Sequence, residues 1–131
     1  MDILEDGRLD LPDSILGDLD LVVAAVHTQL DMSRNKQTTR ILKVTDSPCF
    51  SILAHPSGQR INQREPMDLD ILRIVRHARE RDCFLEINTQ PERLNLVDMH
   101  ARMAKKEGIL LAVNSDAYSI HDFAHLPLGI P

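Results

Sequence analysis

The sequence predicts an α/β fold in which parallel strands alternate with helices. Apolar runs of strand length, LDLVVAAV, FSILA, the run around FLEIN and ILLAV, start at residues 19, 50, 83 and 109. That spacing suits a strand, a helix and their two turns, so the runs read as successive βα units rather than hairpins. Each run also closes on a polar residue able to hold a metal or a proton: His27, His55, Glu86 with Asn88, and Asp116. Parallel strands share a direction, so these endings are expected to converge on one rim, where β/α folds place their chemistry.

The elements follow in order. Gly7 and Pro12 punctuate the opening, leaving residues 1–4 as a strand end and 12–16 as a short helical turn. Residues 19–26, interrupted only by Asp20, suit a strand buried on both faces. A helix is expected over 34–44, with Ser33 as its N-cap and Asp46-Ser47-Pro48 as its stop. Residues 50–54 form the next strand, and His55-Pro56-Ser57-Gly58 turns away from it. The clearest helix spans 68–82, where Ile71, Ile74, Val75 and Ala78 follow the i, i+3, i+4, i+7 rule. A strand over 83–87, a helix over 94–106 ending at Gly108, and a strand over 109–113 complete the pattern.

With 131 residues and 43% hydrophobic content the chain can bury one core, so one domain or part of one is expected. The formal charge of −5 argues against gripping nucleic acid by bulk electrostatics; any phosphate contact must be local. Cys49 and Cys83, beside Phe50 and Phe84, read as small buried hydrophobes rather than a disulfide framework, which fits a reducing cytoplasm. No segment resembles a signal peptide or reaches the ~18 apolar residues of a membrane span, so a cytoplasmic protein is expected.

His27 and His55 repeat one arrangement, an imidazole directly after an apolar strand. Proline after His55 biases that residue toward extended geometry at the strand tip. A histidine alone is more often a packed, satisfied side chain than a ligand; two at consecutive strand ends strengthen the reading of a shared metal site. Asp116 is either an oxygen ligand from a third strand end or the N-cap of a helix over 117–123. Glu86 lies between Leu85 and Ile87 and so faces away from them. A buried carboxylate there needs a partner such as Arg60, Arg64 or Arg93, or supports a histidine ligand from behind. His77, His100, His121 and His125 lie away from strand tips and read as surface or packing residues. A Gly-rich phosphate loop, a serine nucleophile elbow, HExxH and CxxC do not occur.

Taken together, several motifs in register resemble the PHP (polymerase and histidinol phosphatase) domain of bacterial family X DNA polymerases. They are Asp-Ile-Leu-Glu-Asp-Gly with Leu-Asp-Leu-Pro-Asp, Leu-Val-Val-Ala-Ala-Val-His27, and Ile-Leu-Ala-His55-Pro-Ser-Gly. Ile61-Asn62 with Arg64-Glu65-Pro66, Leu85-Glu86-Ile87-Asn88 with Gln90-Pro91-Glu92-Arg93-Leu94, and Ser115-Asp116-Ala117 continue the series. The resemblance implies a distorted, TIM-like (β/α)7 barrel whose C-terminal rim holds up to three zinc or manganese ions. It also implies phosphoester hydrolysis, a 3′-5′ exonuclease acting on DNA, and a place in DNA repair. By resemblance His27 and His55 are ligands of one metal and Asp116 of a neighbouring one, and these three are the catalytic candidates. Glu86, Asn88 and Tyr118 are the supporting groups around them. Arg60, Arg64 and Arg93 are candidates for phosphate contact, with ordinary surface charge as the alternative.

The chain also departs from the family. The His-x-His motif and bridging Glu that open family members are absent, and Tyr118 stands where a histidine ligand is expected. These differences lead us to expect the C-terminal portion of a PHP domain, with low metal occupancy, weak or no activity alone, and self-association or a missing N-terminal half as partner. The competing functions are a non-catalytic remnant that keeps the fold for interaction, and another metal-dependent β/α-barrel hydrolase.

Overall fold

The computed structural model describes residues 1–93 and 98–130. Its centre is a four-stranded, all-parallel sheet in the order β1 (Val23–Ala24), β2 (Ile52–Leu53), β3 (Phe84–Asn88) and β4 (Leu111–Asn114). Consecutive strands are neighbours, so the sheet winds in one direction, as in a barrel, rather than doubling back. Residues 1–3 run alongside β1: the Ile3 amide donates to the Ala25 carbonyl at 2.9 Å and the Ala25 amide to that of Met1 at 3.0 Å.

Helices α1 (Asp13–Leu16), α2 (Arg34–Thr45), α3 (Ile71–Glu80) and α4 (Asp98–Glu107) alternate with the strands. Ser33 caps α2 by accepting from the Lys36 amide, and Asp70 caps α3 by accepting from the Arg73 amide at 3.2 Å. Thr38 then accepts from the Asp70 amide at 3.0 Å, which ties the side of α2 to the start of α3. The apolar stripe of α3 buries Ile74, Val75 and Ala78 against Ile41 and Val44 of α2, Leu53, Leu85, Ala104 and Ile109. A four-residue expected helix start lies outside the described residues, at positions 94–97; the rest of that helix forms α4.

The strands are shorter than the apolar runs that announced them. Of residues 19–26, only Val23–Ala24 forms ladder pairs, and Leu19 and Leu21 are about half exposed, because Asp18 and Asp20 carry this stretch into solvent. The strand expected over 50–54 is reduced to Ile52–Leu53, and the one over 109–113 is displaced to Leu111–Asn114. There Gly108 at φ +78° ends α4 and the Ile109 amide still bonds back to Ala104. The final segment is a 3-10 helix, Ile120–Gly129, preceded by Ser119, so Asp116 is not a helix cap. Both cysteines are free; Cys83 is buried and Cys49 only half-buried. Among the described residues no helix is long and apolar enough to cross a membrane.

Candidate metal and phosphate site

Because β1 to β4 run parallel, their C-terminal ends open on one rim, and the polar strand endings assemble there. The His27 and His55 rings stand edge to face with centroids 5.2 Å apart. His27 is held by Asp2, whose Oδ1 accepts from the His27 amide at 3.3 Å and faces Nδ1 at 3.2 Å. His55 is buried, and its Nδ1 has no hydrogen-bond partner among the described residues. Burial, with the positive fields of Arg93 and His27, pushes its pKa down to about 4 against a weaker opposing pull from Asp116. The ring is therefore neutral at pH 7, the state in which imidazole binds metal.

The backbone at His55 has φ +28°, so proline does not hold this residue extended as the His-Pro pair suggested. Glu86 supplies the reason. Its Oε2 accepts from the His55 amide at 2.7 Å, pulling the peptide inward and fixing the tip of β2. The same carboxylate accepts from Asn88 Nδ2 at 3.2 Å and Asn114 Nδ2 at 2.9 Å. Of the two roles open to Glu86, its partners favour support of the histidine; no arginine reaches it among the described residues. Two amides and a peptide N–H satisfy an otherwise costly buried carboxylate.

Asp116, at φ +49°, faces the same network from β4. Its Oδ2 accepts from Asn88 Nδ2 at 3.1 Å and lies 3.7 Å from Arg93 Nε, while Gln90 Nε2 donates to its carbonyl at 2.9 Å. Non-glycine residues with positive φ at two of these strand ends are strained positions held by surrounding bonds, as functional rims commonly show. Asp116 is thus joined to the histidines through Asn88 and Glu86 rather than by direct contact. Among the described residues no three His, Cys, Asp or Glu side chains gather into a metal-binding group.

Arg93 is buried, and its Nη1 has no partner among the described residues. Burial first, then the nearby charges of Arg60 and Arg64, lowers its pKa, with Asp116 opposing. Arg60 and Arg64 are joined by an antiparallel bridge and, with Gln59, Asn62, Gln63 and Glu65, line an open cavity of about 320 Å³. Arg60 Nε is likewise buried without a partner among the described residues. Arg60 and Arg64 thus bring two further positive charges close to Arg93. Tyr118 is 88% exposed, and its phenol is near enough to act electrostatically on Arg93.

Asp2, Gln90 and Asn114 escaped the sequence reading. Asn114 carried a usable signal, a second polar residue at a strand end opposite Asn88 in register; Asp2 carried none, since its partner lies 25 positions away.

The chain is 32% identical over 130 residues to the DNA polymerase/3′-5′ exonuclease PolX of Bacillus subtilis, an alignment covering 99% of this chain and 23% of the relative. The chain thus resembles the PHP domain of bacterial family X DNA polymerases. A probable phosphatase of Caldanaerobacter subterraneus subsp. tengcongensis is 32% identical over 129 residues, covering 90% of the chain and 48% of the relative. Another, from Thermoanaerobacter sp. strain X514, is 33% identical over 132 residues, covering 90% and 49%. The chain spans about half the length of the two phosphatases and under a quarter of the polymerase. No protein-family model matches the chain.

Proposed function

We propose that the chain forms part of a metal-dependent phosphoesterase site acting on DNA or another phosphoester. The observation that carries this is the His27–His55 pair: two imidazoles at adjacent strand ends, one of them neutral, buried and with a bare Nδ1. They fit two positions of a tetrahedral zinc site; manganese, which favours oxygen ligands, would bind two imidazoles more weakly. When bound, the ion supplies Lewis-acid polarisation of a phosphoryl oxygen. The protein's own part is positional. Glu86 fixes the His55 peptide, Asn88 links Glu86 to Asp116, and Asp116 steadies Arg93, the candidate for contact with a phosphate oxygen. Arg60 and Arg64 add positive field at the same loop.

Two imidazoles fill half of a tetrahedral site, so the proposed centre needs further ligands beyond these two. The alternative is a non-catalytic PHP module kept for interaction.

Metal analysis after dialysis against zinc or manganese separates the two. The expected result is weak binding of a single ion, lost in His55→Ala. Equal metal content in wild type and variant would remove His55 from the site and favour the non-catalytic module.

A further inference from the structure

We infer that Asp2 is a positioning residue for His27, setting its tautomer so that the Nε2 lone pair is presented for binding. This rests on the metal reading above and extends it to a residue outside the expected ligand set.

One carboxylate oxygen of Asp2 meets two groups of the same residue, the His27 amide at 3.3 Å and the ring Nδ1 at 3.2 Å. A bond to the amide alone would be ordinary backbone satisfaction. Including Nδ1 fixes the ring as well, because a peptide and an imidazole that share one acceptor leave little rotation about the side chain. An ionised carboxylate only accepts, so Nδ1 must carry the proton. The bare nitrogen is then Nε2. A neutral histidine in water prefers the opposite arrangement, with the proton on Nε2, so Asp2 reverses the intrinsic preference.

The rest of the chain holds Asp2 in place. Its amide donates to Asp10 Oδ1 at 3.2 Å, the Asp10 amide donates to the Asp2 carbonyl at 3.2 Å, and the parallel bridge to Ala25 sets it beside β1. Arg40, buried within α2, locks both sides of the contact. Its guanidinium donates to the Ile3 and Leu4 carbonyls next to Asp2, the latter at 2.8 Å, and to the Thr28 carbonyl next to His27 at 2.9 Å. A buried cation spent on carbonyls of two chain segments, rather than on a carboxylate, fixes their separation. That separation is the length of the Asp2–His27 contact.

The test is the nitrogen-15 spectrum of the histidine rings in the metal-free chain at about pH 8, where imidazole is neutral. The expected wild-type His27 has a protonated Nδ1 and a bare Nε2. In Asp2→Ala the proton moves toward Nε2, and zinc affinity falls by about 10- to 100-fold. A wild-type His27 protonated on Nε2 overturns the inference, as does an Asp2→Ala ring with unchanged shifts. Should Asp2→Ala fail to fold, as circular dichroism would show, the wild-type spectrum alone still decides. An Nδ1–H ring in a chain that takes up no zinc supports the positioning by Asp2 and overturns the metal reading instead.

Discussion

His55 shows how much one residue's surroundings decide. Desolvation, Arg93 and His27 all disfavour its protonated form, and the resulting pKa of about 4 lies well below the ordinary 6.5. Above about pH 6.5 both folded and unfolded chains hold a neutral ring, so no stability depends on it. Below that value the unfolded chain takes up a proton that the folded chain refuses, and stability falls until the pH reaches about 4. The full loss is about 3 kcal/mol. Urea denaturation of the metal-free protein at several pH values should show this slope in wild type and a much shallower one in His55→Gln. Parallel slopes would mean that the folded ring protonates freely and is not the desolvated ligand described above. The exposed carboxylates of Asp6, Asp46 and Asp122 are also held below their ordinary range by hydrogen bonds, but their loss is common to both proteins and falls at lower pH.

At the scale of elements, what the sequence made legible is what local chemistry dictates. The Ser33 cap and the stripe of Ile74, Val75 and Ala78 are written in consecutive residues, and α2 and α3 appear where expected. The strand ends His27, His55, Glu86 and Asn88 were readable for the same reason: polar residues after apolar runs. Strand length was not, because ladder pairing depends on the neighbouring strand, and Asp20 and Leu21 have none. The turn at Gly7 and the strand end over 1–4 were readable too; the contact of Asp2 with His27 that they set up was not. The turn requires Gly7, at φ +82°, where an added Cβ would come within 2.8 Å of both the Arg40 carbonyl oxygen and Lys43 Cβ. Gly108 offers a control, with φ +78° but nothing within 4 Å of an added Cβ. Gly108→Ala should cost only the left-handed penalty of about 1–2 kcal/mol. Gly7→Ala carries the same penalty plus a clash with backbone, so its cost should be clearly larger in the same denaturation measurement. Equal costs would show that the turn relaxes away from α2 without loss.

Among the described residues one edge of the sheet has no partner strand. β1 is bordered by residues 1–3, whereas no strand among the described residues pairs with the far side of β4. Close to that side the chain exposes Leu110, just before β4, and then Ile120, Phe123 and Leu128 of the 3-10 helix, which contacts β4. An unpaired strand edge beside exposed apolar side chains templates association, so the isolated chain is expected to self-associate. The same geometry bears on activity. His27 and His55 sit toward the β1–β2 side and Asp116 follows β4, with the Glu86–Asn88 network between them. A phosphoester held at Arg93 would thus meet at most one weakly bound ion, without a second to neutralise the leaving oxygen. We therefore expect negligible hydrolysis of a nitrophenyl phosphate ester or of single-stranded DNA, even with added manganese. Light scattering on the size-exclusion peak and both hydrolysis assays test the two halves together. A stable monomer with manganese-dependent turnover that disappears in His27→Ala would show that these 131 residues hold a complete catalytic centre. In that case ligands beyond the two histidines would have to be sought within the chain itself.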